Sequence, residues 1–211
     1  MSLLYPIYLD LTNRKVVVIG GGHVAYRKVE RLIECQANVT LISPQIVPPL
    51  QEFTDQMRIE LHLRPYQTGD LAGAWLVIAA CDVPHANQQV FDEANRLGIF
   101  CNVVDDPLRC SFQVPAIVKR NLLQIAISTG GAGPALAKKI RQQLEQTFPE
   151  YYEEFLEVLL KLRNHLKQKY PDNQPRRAAI LTEYVHSKAL SCLEHRQTDE
   201  FRHILQEYMD M

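Results

Sequence analysis

The sequence predicts an α/β protein: a parallel sheet flanked by helices, then a small hairpin with one helix, then an all-helical C-terminal region. Three observations predict it. Short apolar runs alternate with amphipathic segments through the first half, at the pitch of strand–helix–strand units. The stretch VVVIGGGHVAYRK, residues 16–28, drives an apolar run through three glycines into a helix-like segment. From Glu150 onward every segment has helical periodicity.

Lys15 to Ile19 reads as a strand apolar on both faces, and Val24 to Cys35 as a helix with Ala25, Val29, Leu32 and Ile33 on one stripe. Val39 to Ile42 is a second strand, stopped by Ser43-Pro44. Leu50 to Gln56 has helical character, and Ile59 to Leu63 is a third strand. Trp75 to Ala80 is a fourth, whose continuous apolar character fits burial on both faces. Pro84 to Arg96 is a helix opened by proline and stopped by Gly98. Phe100 to Val104 is a fifth strand. Phe112 to Lys119 and Leu122 to Ser128 read as a hairpin joined by Arg120-Asn121. Pro134 to Phe148 is a helix with Leu136, Ile140, Leu144 and Phe148 at steps of four; Tyr151 to Lys169, Arg176 to Ser191 and Thr198 to Met209 are the helices of the tail. Domain boundaries are expected near residues 113 and 149, dividing the chain into 1–113, 114–149 and 150–211.

Hydrophobic residues make up 46% of the 211, enough for a proper core. Lys and Arg total 23 against 24 Asp and Glu, a near-neutral balance that argues against a dedicated nucleic-acid binder but leaves room for a local basic pocket. Five cysteines without a C-x-x-C argue against a disulfide framework or a zinc knuckle, and favour a reducing cytoplasm. The histidines show no metal-ligand spacing, so no metal site is expected. The longest apolar run, Ala74 to Cys81, is too short for a bilayer, and the first residues lack the basic start and cleavage site of a signal peptide, so no membrane partner is expected.

Gly20-x-Gly22-x-x-Ala25 follows a strand and opens a helix, the context of a Rossmann-type dinucleotide fingerprint. Gly20 permits the tight turn, Gly22 lets a pyrophosphate approach the backbone, and Ala25 keeps helix and strand close. The free N–H groups and positive end of the helix then face the phosphates. The cofactor-binding set is therefore Gly20, Gly21, Gly22, His23 and Val24 at the turn, Ser43 and Pro44 after the second strand, and Ala80 after the fourth. The acid that usually holds the ribose 2′-OH is missing; Ser43 stands there and could hydrogen-bond the ribose, which leaves NAD and NADP both open.

AISTGGAGP, residues 126–134, repeats the strand–glycine–helix arrangement, with Ser128, Thr129, Gly130 and Gly131 offering donors to a carboxylate or phosphate. The bland alternative is a glycine-rich hairpin exit beside a solvated basic face. CNVVDDP, residues 101–107, ends the fifth strand where ligands of such sheets bind. Asp105 there is a candidate for general acid–base work, whereas Asp106, before a proline, reads as a turn former.

Taken together, VVVIGGGHVAYRK and NVVDDPLRCSFQVPAIVKRNLLQIAISTGGAGPALA resemble the N-terminal module of siroheme synthases, the precorrin-2 dehydrogenase family. The resemblance is strong over about residues 5–148 and looser over the tail. It implies NAD-dependent oxidation of precorrin-2 to sirohydrochlorin on the route to siroheme or cobalamin, in a homodimer made largely by residues 114–148. Some members also insert Fe²⁺, so a bifunctional dehydrogenase and ferrochelatase is the alternative. A non-catalytic module that senses NAD or carries a tetrapyrrole is the alternative of another class. In larger relatives a methyltransferase domain follows; here methylation is expected from another protein. The family's essential aspartate maps to Asp105, as proton acceptor. The resemblance also favours NAD as cofactor. For a substrate with eight carboxylates it implies a binding set of Asn102, Arg120, Ser128, Thr129, Gly130, Gly131 and Lys138, with Arg27, Lys28 and Arg141 as further cations. Two departures stand out: Gly133 replaces a frequent serine, and Cys81 replaces a frequent threonine.

Overall fold

A computed structural model describes residues 4–211. The chain divides into two compact units between Val114 and Pro115. The first unit is built on a parallel sheet of β1 (Lys15–Ile19), β2 (Asn38–Ile42), β3 (Glu60–His62), β4 (Leu76–Ala79) and β5 (Phe100–Val103), in the spatial order β3-β2-β1-β4-β5. Helices α1 (His23–Glu34), α2 (Pro48–Asp55) and α3 (Pro84–Leu97) connect the strands. The apolar runs are continuous because both faces are covered. Val16 and Val18 of β1 pack with Ala25, Val29 and Leu32 of α1. Val17 and Ile19, pointing the other way, pack with Val90 and Ala94 of α3. After β1 the chain winds outward through β2 and β3, then returns to place β4 on the other side of β1. The carboxyl ends of β1 and β4 therefore flank a switch point, the usual crevice for a ligand in such sheets.

The second unit begins with an antiparallel hairpin of β6 (Ala116–Arg120) and β7 (Leu123–Ile127), followed by α4 (Pro134–Thr147). The expected Arg120-Asn121 turn is shifted by one residue. Arg120 pairs with Leu123, and the turn is Asn121-Leu122, because the first turn residue needs φ above zero and Asn121 accepts φ 47°. The helical tail packs α5 (Tyr151–Lys169), α6 (Gln174–His186), α7 (Ala189–Glu194) and α8 (Thr198–Asp210) around Phe155, Leu162, Leu166, Tyr184 and Phe201. The single helix expected over 176–191 is two. The Ser187 hydroxyl donates to the Tyr184 carbonyl at 2.7 Å and accepts from the Ala189 N–H at 3.1 Å. A side chain thus replaces the helical ladder, and the chain turns so that Ala189 and Cys192 are buried.

Candidate functional site

The three consecutive glycines are required for three different reasons. Gly20 has φ 110°, and a Cβ there would lie 2.3 Å from the Ala80 carbonyl oxygen, so a side chain would drive β1 and β4 apart. Gly21 sits against the loop after β2: a Cβ would meet the Gln45 carbonyl at 2.0 Å, and the Gly21 carbonyl accepts from Val47 N–H at 2.9 Å. Gly22 precedes α1 with φ −83° and ψ −175°, and a Cβ there would meet nothing within 4 Å. Only Gly22 faces open space. Among the described residues no side chain caps α1, so its first N–H groups have no intrahelical or side-chain partner. Bare amides, the positive end of a helix and an open approach together fit the pyrophosphate of a dinucleotide. His23 is exposed and Val24 half-buried beside these amides, while Ala25 is fully buried against the sheet.

The walls of the turn come from β2 and β4. Ser43 is buried, and its hydroxyl donates to the Gln45 carbonyl at 2.6 Å. That bond folds the loop back onto Gly21 and leaves the Ser43 oxygen as an acceptor. Pro44 is exposed on the same loop. Ala80, half-buried, closes the other side, its N–H donating to the Ile19 carbonyl at 2.7 Å. Cys81 follows it; its thiol donates to Asn87 Oδ1 at 3.0 Å and Asn87 Nδ2 returns to the Cys81 carbonyl at 3.0 Å, fixing the entry to α3.

Asp105 lies just past β5, exposed, in the left-handed region at φ 62°. Its turn is closed by the Asp106 N–H donating to the Val103 carbonyl at 3.2 Å. The following segment folds back onto β5: Asn102 bridges to Cys110, and Ser111 N–H donates to the Cys101 carbonyl at 2.8 Å. Asn102, expected at the substrate, instead spends its amide here, donating to the Phe112 carbonyl at 3.0 Å and Cys110 Sγ at 3.4 Å. Lys28, half-buried on α1, shares this neighbourhood. Burial and the Arg31 and Arg27 cations hold its ammonium below the usual lysine range, and Asp105 acts in the opposite direction. Burial pushes the Cys110 thiol up, which favours its protonated form.

In the second unit the 128–133 loop satisfies much of its own backbone. Ser128 Oγ accepts from Gly130 N–H at 3.1 Å, and Thr129 Oγ1 from Gly133 N–H at 3.2 Å. Gly130 and Gly131 take φ 61° and 85°. The expected nest of bare amides is therefore largely filled from within, but each hydroxyl keeps its own hydrogen to donate to a carboxylate. Lys138 is exposed in the first turns of α4. Arg120 is committed elsewhere: its guanidinium donates to the Glu145 carbonyl at 3.1 Å and the Lys119 carbonyl at 2.9 Å, tying β6 to the last turn of α4. Arg141 pairs with Glu145. The sequence reading missed Gln88 and Arg109, described below, because they join across 21 positions with no local spacing to mark them.

Comparison with known proteins matches residues 7–116, just over half of the chain, to the family described as "Putative NAD(P)-binding". The chain belongs to this NAD(P)-binding family. Residues 120–147 match the family model of the sirohaem biosynthesis protein central region. Siroheme synthase 1 of Aeromonas hydrophila is 40% identical over 172 residues, which cover 82% of this chain and 37% of that protein. Siroheme synthase of Actinobacillus pleuropneumoniae serotype 3 is 34% identical over 195 residues, 92% of this chain and 40% of the relative. Siroheme synthase 2 of Yersinia pseudotuberculosis is 35% identical over 199 residues, covering 93% and 42%. The chain thus spans about two fifths of the length of these relatives. The structure of SirC, precorrin-2 dehydrogenase, superposes with a TM-score of 0.82 over 99% of this chain and 100% of that one, at 24% identity, which shows a shared fold. The resemblance to siroheme synthases read from the sequence is borne out. Among the described residues no helix is long and apolar enough to cross a membrane.

Proposed function

We propose that this protein is an NAD-dependent precorrin-2 dehydrogenase, oxidising precorrin-2 to sirohydrochlorin. The observation that carries this reading is the pairing, at one edge of one sheet, of an open glycine turn with an exposed aspartate. Gly22 and the first N–H groups of α1 would hold the pyrophosphate; Ala80 and the Ser43–Gln45 loop would wall the site. When bound, NAD⁺ supplies the two-electron acceptor for removal of two hydrogens from the macrocycle. One of the two leaves as hydride, and exposed Asp105 accepts the other at its carboxylate as a proton. The Asp105 charge acts to keep the proton on the neighbouring Lys28 ammonium, against the burial that lowers it.

The arginine past β3 offers no free guanidinium for a 2′-phosphate, which accords with NAD⁺. Arg64 is forked onto Asp70 at 2.7 and 2.8 Å, and that pairing holds the Asp70 carboxyl below its usual range. A guanidinium so engaged is withheld from a ribose 2′-phosphate. In the second unit, taken by itself, the donor hydrogens of Ser128 and Thr129 and the Lys138 ammonium suit carboxylate groups such as those of a tetrapyrrole. In this reading residues 1–113 bind the dinucleotide, residues 114–149 form a homodimer, and residues 150–211 are a helical domain, in a cytoplasmic enzyme. The homodimer is supported by α4, where Leu136 is 54% exposed and Ile140, Leu144 and Phe148 are only half-buried.

The test is an anaerobic mixture of protein, precorrin-2 and NAD⁺, followed by absorption. Sirohydrochlorin and NADH should appear together in equal amounts. NAD⁺ binding with no spectral change would overturn the enzyme reading in favour of a binding module.

A further inference from the structure

Asp105 holds a left-handed backbone conformation, φ 62°, that aspartate accepts and that contacts of the neighbouring residues fix here. Those contacts run back to α3. Gln88 Nε2 donates to Asp92 Oδ1 at 2.8 Å, which orients the Gln88 amide with its carbonyl toward the loop. That carbonyl accepts from Arg109 Nε at 2.8 Å. The other arm of the guanidinium, Nη1, pairs with the Asp106 carboxylate. Asp106 is the residue next to Asp105, and its N–H closes the turn on Val103. The Arg109 N–H also donates to the Asp106 carbonyl at 3.1 Å, so Asp106 is held at both backbone and side chain. The Arg109 and Asp106 side chains are 40% and 26% exposed, so the pair is partly shielded rather than a free surface contact.

From this we infer that Gln88 and Arg109 are positioning residues for the proton acceptor: a planar fork, aimed by an amide on α3, fixes Asp106 and through it the orientation of the Asp105 carboxylate. The inference rests on the role of Asp105 given above. Arginine suits the task because its guanidinium bonds two partners at once in a fixed geometry, which an ammonium cannot. Its effect belongs on the chemical step, because displacing a catalytic group by about 1 Å costs on the order of a hundredfold in rate while leaving ground-state binding alone.

The experiment compares Gln88→Leu, Arg109→Met, Arg109→Lys and the Gln88→Leu/Arg109→Met double variant in the NAD⁺ and precorrin-2 assay, with Asp105→Asn alongside. Arg109→Met is expected to lose roughly 10- to 100-fold in kcat, with both KM values within about twofold of wild type. Gln88→Leu should lose several-fold, Arg109→Lys should recover part of the loss, and the double variant should be no slower than Arg109→Met, since Gln88 acts only through the guanidinium. Wild-type kcat in Arg109→Met would overturn the inference. So would a raised KM for precorrin-2 at unchanged kcat, which would make Arg109 a substrate-carboxylate ligand. Should Arg109→Met fail to fold, Gln88→Leu decides alone, and unchanged kcat there is equally fatal. If Asp105→Asn keeps full turnover, the role of Asp105 itself falls; if it loses turnover while the brace variants do not, only the brace falls.

Discussion

Alanine substitutions at the three neighbouring glycines should separate folding from cofactor binding. At Gly20, alanine must adopt φ 110° and place its Cβ 2.3 Å from the Ala80 carbonyl. The backbone strain costs about 1–3 kcal/mol, and relieving the overlap of two buried strands costs about as much as other overpacking, a further 1–3 kcal/mol. At Gly21 the backbone is relaxed, but the 2.0 Å approach to the Gln45 carbonyl forces the loop away, at about 1–3 kcal/mol. At Gly22 the backbone is extended, the space is empty, and the stability change should be within about 0.5 kcal/mol. A methyl there nonetheless stands where a phosphate must approach. Loss of one amide–phosphate bond, worth about 1.5–3 kcal/mol, weakens NAD⁺ roughly 10- to 100-fold. Thermal melting and equilibrium NAD⁺ titration are the assays. Gly20→Ala should lower the melting temperature by roughly 5–20 °C, whereas Gly22→Ala should melt like wild type and bind poorly. Equal melting losses at Gly20 and Gly22, or wild-type NAD⁺ affinity in Gly22→Ala, would refute the reasoning.

Arg120→Ala should destabilise the protein by about 1–2 kcal/mol through loss of its bonds to the Glu145 and Lys119 carbonyls, with KM for precorrin-2 unchanged; a raised KM without a stability loss would return Arg120 to the substrate site. Asp70→Asn should release Arg64 and raise NADP⁺ affinity roughly tenfold, the equivalent of one charge-assisted bond, while NAD⁺ affinity holds; an unchanged NADP⁺ affinity would remove Arg64 from the discussion of cofactor choice. Burial pushes the Cys101 thiol from 9.0 up to about 12. The folded state then binds more protons than the unfolded state above pH 9, so this thiol's contribution is intact below that pH and lost as pH rises. By pH 10 the loss is about 1 kcal/mol; denaturant melts of wild type and Cys101→Ala from pH 8 to 10.5 should show the steeper decline in wild type, and parallel declines would contradict it.

Much of the dinucleotide half was legible because each part of it is local. A strand buried on both faces, a glycine turn and an amphipathic helix leave marks within a dozen residues, and Lys15–Ile19 and Tyr151–Lys169 coincide with their expected bounds. What stayed hidden depends on contacts between distant segments. Nothing in the sequence announces that the Ser43 hydroxyl donates to the Gln45 carbonyl. Arg120 reads as a free cation until the end of α4 is found beside it. Asp106 reads as a turn former, which it is, but nothing near it in sequence announces Gln88. The break at Ser187 was missed for the opposite reason: a local side-chain bond defeated an otherwise helical pattern.

The most direct test of the account is a single-turnover comparison of wild type with Asp105→Asn, each saturated with NAD⁺ and mixed anaerobically with precorrin-2. Asparagine tolerates the φ of 62° and keeps the side chain's shape, so it removes the proton acceptor and little else. The account predicts unchanged NAD⁺ affinity and NADH formation slowed on the order of 100-fold or more, the scale of a lost general base. NADH formed at the wild-type rate would contradict it.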